Sequence, residues 1–183
     1  MSGLYVDSVN KEFGLNQILT DVFISCKIGE VIGLLGRNGA GKSTLLQIIF
    51  GALKAGHKYV KVNDKLIHTL FDSRDLIRYL PQDSFLPIHV SVKTIIAIYC
   101  TSIQAAQLHE LAFIKPFLFK KSNELSGGEK RLIEIFILLY GKAKFVLLDE
   151  PFNGLAPLHI ELVKEGIKAA AVNKGFIITD HDY

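Results

Sequence analysis

The chain has 183 residues with a formal net charge of +3, and 49% of its residues are hydrophobic. Its length is that of one ordinary domain with a sizeable core, so we expect a single domain over residues 1–183. The basic residues are scattered without a nucleic-acid footprint, no apolar run approaches the length that spans a bilayer, and the N-terminus lacks a secretion signal.

Two segments at the start of the chain, residues 3–9 and 18–28, are predicted to be strands, with a turn at 11–14 between them. Phe13 lies in this turn, at a distance from the following glycine-rich segment that would let its ring fold back over a purine base. A core phenylalanine that closes a hairpin explains the same position, and the residues alone leave both interpretations open.

Residues 36–43 match G-x-x-x-x-G-K-[ST], the pattern of a loop that binds phosphate. An apolar run at 30–35 leads into the loop and is predicted to be a buried parallel strand, and residues 44–50 follow as a helix with one apolar face. Glycines let the backbone curl around a polyphosphate, and the helix N-terminus attracts its charge. The alternative is a glycine turn that only packs a helix on a strand.

Two side chains complete this predicted phosphate site. Lys42 supplies a charge for the β- and γ-phosphates of a nucleotide, and Ser43 offers a hydroxyl to Mg²⁺. The positions in this segment that are predicted to bind the nucleotide are Gly36, Asn38, Gly39, Ala40, Gly41, Lys42, Ser43 and Thr44.

The segment at 57–67 is predicted to be a hairpin that joins the N-terminal strands in an antiparallel layer. A polar connection at 72–76 precedes a core strand at 77–80, which ends at a proline. Gln82 follows at the carboxyl end of that strand, the edge where such sheets bind ligands, and would reach the metal or the attacking water. A solvated loop glutamine is the alternative.

The stretch at 91–140 interrupts the sheet pattern and is predicted to be a helical subdomain. Ser91 is the expected N-cap of a helical region over 91–114, in which residues 103–114 form a second helix. The aromatic segment at 113–121 is interpreted either as core or as a surface that grips a partner.

Ser126, Gly127 and Gly128 stand before a helix predicted at 129–140. A hydroxyl, free amides and the positive end of the helix dipole would together bind a second anion. A helix N-terminus at which Ser126 and Glu129 form a capping box explains the same residues.

Residues 144–150 are predicted to be a buried strand that ends in two carboxylates. Asp149 is placed to hold Mg²⁺ opposite Ser43, and Glu150 to orient and deprotonate a water that attacks the γ-phosphate. An acidic strand end in solvent is the alternative.

The last predicted elements are a helix at 157–173 and a buried strand at 175–179, which His181 follows closely. This histidine would touch the γ-phosphate from another strand end, although a lone histidine often has no such role. The predicted layout is a β layer and nucleotide-binding core over residues 1–85, a helical subdomain over 88–140 and the core again over 141–183.

Cys26 and Cys100 lie far apart in the chain and outside any metal-binding spacing. We expect both to be buried thiols in a reducing compartment rather than a disulfide.

Together these motifs resemble the nucleotide-binding subunit of an ATP-binding-cassette (ABC) transporter, from Leu4 to His181. The segment Leu125-Ser126-Gly127-Gly128-Glu129 is similar to the family signature, its most diagnostic motif. The other correspondences are Phe13 at the adenine-stacking aromatic, residues 36–44 at Walker A, Gln82 at the Q-loop, residues 145–150 at Walker B, residues 153–156 at the D-loop and His181 at the switch histidine.

The resemblance implies an α/β fold: a P-loop NTPase with a RecA-like core, an N-terminal antiparallel β layer and a small helical subdomain. It also implies Mg²⁺-dependent hydrolysis of ATP as the motor of a membrane transporter. The residues that it implies to be catalytic are Glu150, His181 and Gln82, and those that it implies to hold the metal are Ser43, Gln82 and Asp149.

Cassettes of this family dimerise head to tail, so the resemblance implies that Ser126, Gly127 and Gly128 complete the ATP site of a second cassette. Closure of the dimer is then expected to drive integral membrane subunits that contact the groove near Gln82 and the helical subdomain. The chain is accordingly expected to be cytoplasmic, peripheral on the inner face of the cell membrane, with no nucleic acid as a partner.

Three features depart from the family pattern. Ala156 stands where many members have an aspartate, the helical segment between Gln82 and Ser126 is short, and the chain ends just after His181, which is expected to leave a sheet edge exposed. Two alternative functions are a soluble ABC ATPase that acts in assembly, repair or translation, and a cassette that binds ATP with little turnover.

Overall fold

This computed structural model describes residues 3–180 of the chain. The chain divides into two compact units. The first unit comprises residues 3–79, 143–150 and 171–180, and the second comprises residues 80–142 and 151–170. His181 lies outside the described residues. Within the described ranges, no helix is both long enough and apolar enough to cross a membrane.

The strands form two four-stranded sheets. All strand residues belong to the first unit except Leu80, the last residue of β6. Their bounds are β1 Leu4–Phe13, β2 Asn16–Cys26, β3 Val31–Leu35, β4 His57–Val62, β5 Lys65–Leu66, β6 Ile77–Leu80, β7 Phe145–Asp149 and β8 Gly175–Asp180. One sheet is antiparallel with the order β2-β1-β4-β5, and the other has the order β3-β8-β7-β6. In the second sheet β8 pairs in parallel with both β3 and β7. The predicted α/β class with an antiparallel N-terminal layer is confirmed.

Helices lie in both units. Their bounds are α1 Lys42–Phe50, α2 Leu70–Ser73, α3 Val92–Tyr99, α4 Ser102–Glu110, α5 Gly127–Tyr140 and α6 Pro157–Ala171, with short 3₁₀ turns at Lys115–Phe117 and Ser122–Glu124. Ser91 caps α3 as predicted, since its hydroxyl accepts a hydrogen bond from the Thr94 amide at 3.3 Å.

Helix α1 is held by the hydrophobic core of the first unit. Its apolar face, Leu45, Leu46, Ile48 and Ile49, is buried in one cluster with side chains of both sheets. Burial of these four side chains stabilises the helix by packing rather than by intrinsic propensity. The loop before α1 is therefore presented by a rigid element.

The edge strand β3 was predicted to be buried, but two of its side chains are largely exposed. Val31 is 48% exposed and Leu35 is 59% exposed, whereas every residue of β7 is buried. The reason is the strand order, because β7 lies between β8 and β6 while β3 pairs with β8 alone among the described strands. An apolar run therefore indicated a strand correctly but not its position in the sheet.

Register aligns the carboxyl ends of three strands at one edge of the parallel sheet. Leu35 at the end of β3 lies opposite Asp180 of β8. Asp149 at the end of β7 lies opposite Thr179 of the same strand. The segments that follow β3 and β7 consequently begin at this edge, where doubly wound sheets bind ligands.

Several boundaries differ from the predictions. Strand β1 runs through Phe13, so only Gly14 and Leu15 separate it from β2, because register shifts in β1 break the alternation of side chains that marks a strand. Helix α4 ends at Glu110 rather than at 114, since Leu111 has extended backbone angles. Helix α5 begins two residues before its predicted start.

In the aromatic segment at 113–121 the core interpretation is correct in part, and its role as a surface that grips a partner stays a prediction. The Phe113 ring meets the Phe136 ring edge-on at 4.7 Å, and Ile114 and Leu118 are buried. Phe119, in contrast, is 82% exposed. The segment thus contributes to the core of the second unit and also exposes one aromatic ring.

Both cysteines are free thiols, as expected, but only Cys26 is buried and Cys100 is half-buried. Burial raises the pKa of the Cys26 thiol to about 11, which keeps it protonated and unreactive at neutral pH.

Candidate functional site

The glycine-rich loop enters α1 through a left-handed residue. Gly41 is the N-cap of the helix with φ 87°, and a Cβ at this position would lie 2.8 Å from Cγ2 of Ile18. Both the backbone angle and the packing therefore require glycine here. Asn38, Gly39 and Ala40 form the exposed tip of the loop, and Gly36, Gly41, Lys42, Ser43 and Thr44 are half-buried at its base.

Lys42 places a positive charge on this loop. Its ammonium donates to the carbonyl oxygens of Gly36 and Arg37, the second at 3.2 Å. The first turn of α1 contains no acidic residue, and its N-cap residue, Gly41, makes no side-chain cap hydrogen bond. A lysine and the positive end of a helix dipole at one point favour the binding of a polyanion.

Ser43 and Asp149 meet although 106 positions separate them in the sequence. The Ser43 hydroxyl donates to Oδ1 of Asp149 at 3.0 Å, and Asp149 is only 1% exposed. A hydroxyl and a carboxylate are hard oxygen ligands of the kind that Mg²⁺ prefers. The two side chains therefore fit a magnesium ion next to the phosphate loop, and the alternative of an acidic strand end in solvent is wrong for Asp149.

Two further side chains bind the same carboxylate, and sequence reasoning gave neither of them a role. The Tyr79 hydroxyl donates to Oδ2 of Asp149 at 2.9 Å, and the Thr179 hydroxyl donates to Oδ1 at 2.8 Å. The signal available in the sequence was that Tyr79 lies one residue before the end of β6 and that Thr179 follows the apolar run of β8.

Glu150 adopts an unusual backbone conformation next to this cluster. Its φ is 47°, a left-handed angle that few non-glycine residues take, and its amide donates to the Thr179 hydroxyl at 3.0 Å. Such conformations concentrate at functional sites.

Phe13 lies on the surface at the end of β1. It is 48% exposed, and the Lys11 ammonium lies 4.6 Å from the centre of its ring. The interpretation of Phe13 as a core residue is therefore wrong, and an exposed ring is what stacking on a base needs. Its role as the adenine-stacking residue remains a prediction.

Gln82 is an exposed loop residue of the second unit, and its roles with metal and water remain predictions. The loop around it is fixed to α5 by a buried ion pair that sequence reasoning missed. Arg131 donates to the carbonyl of Pro81, and Glu134 accepts from the Ser84 hydroxyl and from the Phe85 amide at 2.8 Å. Burial raises the pKa of Glu134, which these donors and the guanidinium at 4.0 Å partly oppose.

At the start of α5 the capping box is formed. The Ser126 hydroxyl accepts from the Glu129 amide at 3.3 Å, and the Glu129 carboxylate accepts from the Ser126 amide at 2.6 Å. Hydrogen bonds from the Ser126 amide and the Ser126 side chain to the carboxylate hold the pKa of Glu129 below its ordinary value. The capping interpretation of Ser126 is therefore correct, and phosphate binding by Ser126, Gly127 and Gly128 stays a prediction.

Gly128 packs against the turn that follows β7. A Cβ on Gly128 would lie 2.9 Å from the carbonyl oxygen of Gly154, whereas a Cβ on Gly127 would meet nothing within 4 Å. The two glycines that resemble parts of the signature are thus unequal. Only Gly128 is required for the approach of two backbone segments within the second unit.

Comparison with known proteins gives a match to one family over most of the chain. A family model described as ABC transporter matches residues 19–153. The lipopolysaccharide export system ATP-binding protein LptB of Escherichia coli strain K12 is 30% identical over 196 residues, an alignment that covers 100% of this chain and 81% of the relative.

Solved structures agree with the sequence comparison. A nucleotide-free ATP-binding cassette from an ABC transporter matches with a TM-score of 0.82 and 27% identity, over 99% of this chain and 82% of that chain. An ATP-binding subunit of an ABC transporter matches with a TM-score of 0.86 over 98% of this chain and 80% of that chain, and at 22% identity it supports the fold alone.

Proposed function

This chain belongs to the ABC transporter family of ATP-binding subunits, and from that premise we propose that it is the Mg²⁺-dependent motor subunit of a membrane transporter. As a member of this family it binds ATP and is an ATPase. The proposal adds a metal ion, a dimeric site, named catalytic residues and a membrane partner.

The observation that carries the proposal is the 3.0 Å hydrogen bond between Ser43 and Asp149. It joins the helix that follows the phosphate loop to the end of a buried strand. These two side chains would hold Mg²⁺, with Gln82 as a further ligand, and the bound ion would neutralise charge on the β- and γ-phosphates. Lys42 would bind the same phosphates from the loop.

Three residues are proposed to handle the attacking water and the γ-phosphate. Glu150 would accept the proton of the water, Gln82 would orient that water, and His181 would donate a hydrogen bond to the γ-phosphate. Glu150 follows Asp149 directly, so the metal-holding and water-activating carboxylates come from one strand end.

A second cassette is proposed to complete each ATP site. Ser126, Gly127 and Gly128 would bind the nucleotide held by the phosphate loop of a partner cassette, and Phe13 would stack on the adenine of this chain's own nucleotide. The close approach of Gly128 to Gly154 supports this arrangement, because it joins the signature and the D-loop turn into one surface. Hydrolysis would then depend on closure of the dimer.

The proposed partners are integral membrane subunits of a transporter. The E. coli relative is named as the ATP-binding protein of a lipopolysaccharide export system, and from that name we infer that this chain would act on a separate membrane component. We place this chain on the cytoplasmic face of the membrane, bound through those subunits, and assign the whole chain to a single ABC ATPase domain.

The test is the mass in solution of the Glu150→Gln variant, measured by light scattering with ATP and Mg²⁺, with ATP and a chelator, and without nucleotide. The substitution removes the proposed base and retains the phosphate loop, so the mass should double only when ATP and Mg²⁺ are both present. The Glu150→Gln/Lys42→Ala double variant should remain monomeric. A Glu150→Gln protein that binds Mg²⁺-ATP and stays monomeric would contradict the two-cassette site.

A further inference from the structure

Thr179 connects two residues of the proposed site through one hydroxyl group. It is fully buried in β8, with 0% of its surface exposed. Its oxygen accepts a hydrogen bond from the Glu150 amide at 3.0 Å, and its proton is donated to Oδ1 of Asp149 at 2.8 Å. A threonine hydroxyl has one proton, and an amide is only a donor, so the direction of both bonds is fixed.

Tyr79 binds the same carboxylate on its other oxygen. Its hydroxyl donates to Oδ2 of Asp149 at 2.9 Å. Since β7 lies between β6 and β8, the two donors reach Asp149 from the strands on either side. Hydrogen bonds to both oxygens fix the plane of the carboxylate, and donors of this kind around a metal ligand orient it toward the metal.

Thr179 also reaches beyond Asp149, to the next residue of the chain. Its bond to the Glu150 amide restrains a residue whose φ of 47° lies in a sparsely populated region for a non-glycine. The direction of the Glu150 side chain depends on that backbone angle, because the Cα–Cβ bond turns with it. The same hydroxyl thus orients the carboxylate of one residue and the backbone of the next.

We propose that Thr179 is a positioning residue that ties the metal-holding carboxylate of Asp149 to the backbone of the water-activating Glu150, while Tyr79 orients Asp149 from the other side. This inference rests on the roles proposed above for Asp149 and Glu150. It assigns the two strands beside β7 different tasks: β8 couples metal binding to water activation, and β6 orients the metal-holding carboxylate.

The first test measures the backbone and needs no turnover. Amide hydrogen exchange of Glu150 is followed by NMR in the wild-type chain and in the Thr179→Val, Thr179→Ser and Tyr79→Phe variants. Loss of a hydrogen-bond partner exposes the amide, so Thr179→Val should speed exchange of the Glu150 amide about tenfold or more. Thr179→Ser and Tyr79→Phe should leave its protection near the wild-type level.

The amides of Leu147 and Leu148 in β7 are the internal reference for that measurement. If they lose protection in Thr179→Val as much as Glu150 does, the strand opens as a whole and Thr179 is only structural, which overturns the proposal. Equal protection of Glu150 in the valine and serine variants overturns it as well. If the valine variant does not fold, Thr179→Ala replaces it in the same comparison with serine.

The second test measures metal dependence and turnover separately. Binding of a fluorescent ADP analogue is measured at increasing Mg²⁺ concentration. Thr179→Val and Tyr79→Phe should each need about tenfold more Mg²⁺ than the wild-type chain to reach half-maximal binding. In steady-state hydrolysis Thr179→Val should also lower kcat about tenfold at saturating Mg²⁺ and ATP, and Thr179→Ser should restore it. A valine variant whose defect is wholly removed by Mg²⁺ would overturn the link to Glu150.

Glu150→Gln distinguishes failure of this inference from failure of the proposed function. If Glu150→Gln hydrolyses ATP at the wild-type rate, the role proposed for Glu150 is wrong. If Glu150→Gln is inactive while Thr179→Val matches Thr179→Ser in both tests, the proposed function stands and only the positioning role of Thr179 is wrong.

Discussion

The N-termini of α1 and α5 each resemble an anion-binding site, and they are built in opposite ways. Helix α1 is entered through the left-handed Gly41, has Lys42 as its first residue and has no side-chain cap. Helix α5 is entered through Ser126 in extended conformation, and a capping box satisfies the amides of Ser126 and Glu129. One N-terminus presents positive charge, and the other already contains a carboxylate.

This difference indicates an order of events in the proposed cycle. At α1 a polyphosphate would meet the helix dipole and Lys42, whose ammonium would exchange the Gly36 and Arg37 carbonyls for phosphate oxygens, so we expect nucleotide to bind at α1 first. At α5 a phosphate would meet the carboxylate of Glu129, which would repel it and already accepts from the Ser126 amide. We therefore expect binding at α5 to be weaker by itself, as suits a surface that would engage only nucleotide already held by a partner cassette.

The largest expected effect comes from removing the charge at α1. Lys42→Ala should lower ATP turnover by about a hundredfold or more, because a positioned cation on the transferred phosphates supplies a large part of catalysis. Lys130→Ala, in the first turn of α5, is the matched control and should change turnover by less than about threefold. Steady-state hydrolysis and nucleotide binding measure both. Equal losses in the two variants would break the distinction between the N-termini.

A smaller effect is expected from the glycines at α5, and it concerns stability. Gly128→Ala places a methyl group 2.9 Å from the Gly154 carbonyl, and a forced backbone shift of this kind costs about 1–3 kcal/mol. Gly127→Ala meets open space on a helix and should not destabilise the chain. Urea unfolding of both variants measures the difference. If the two alanine variants have the same free energy of unfolding, Gly128 does not join the signature to the D-loop turn.

Sequence reasoning recovered the parts of the fold and site that depend on local pattern. The loop before α1 was found because it needs glycines at fixed spacing, and Asp149 because an acid after four apolar residues marks a strand end. The antiparallel hairpin and the cap of α3 were found for the same reason. Each of these signals is carried by residues close together in the chain.

The remainder depends on contacts between distant segments. The exposure of β3 follows from strand order, which its own apolar residues do not specify. The bond between Thr179 and Asp149 joins positions 30 residues apart, and Tyr79 reaches Asp149 across 70. Arg131 and Glu134 occur in an apolar helix, where their pattern gives no sign that they hold the Gln82 loop. Such pairings are settled by packing and register rather than by local propensity.

The smallest expected effect concerns the carboxylate that closes α5, and it depends on pH. Because the pKa of Glu129 is lowered in the folded chain, its contribution to stability is present above the unfolded value of 4.5 and is lost as pH falls through the lower folded value. Glu129→Gln retains a side chain that can complete a capping box but removes the charge. The wild-type advantage at pH 7 should be below about 1 kcal/mol, since the group is largely solvated, and should shrink further below pH 4.5.

Urea unfolding of both proteins at pH 7 and pH 3.5 measures that advantage, and the Ser126→Ala background is its control. Without the Ser126 hydroxyl the box is incomplete, so the same Glu129→Gln change should cost less at pH 7. An advantage that grows as pH falls would mean that the carboxylate is not held by α5. The N-terminus of α5 would then resemble that of α1, and the proposed order of nucleotide binding would lose its physical basis.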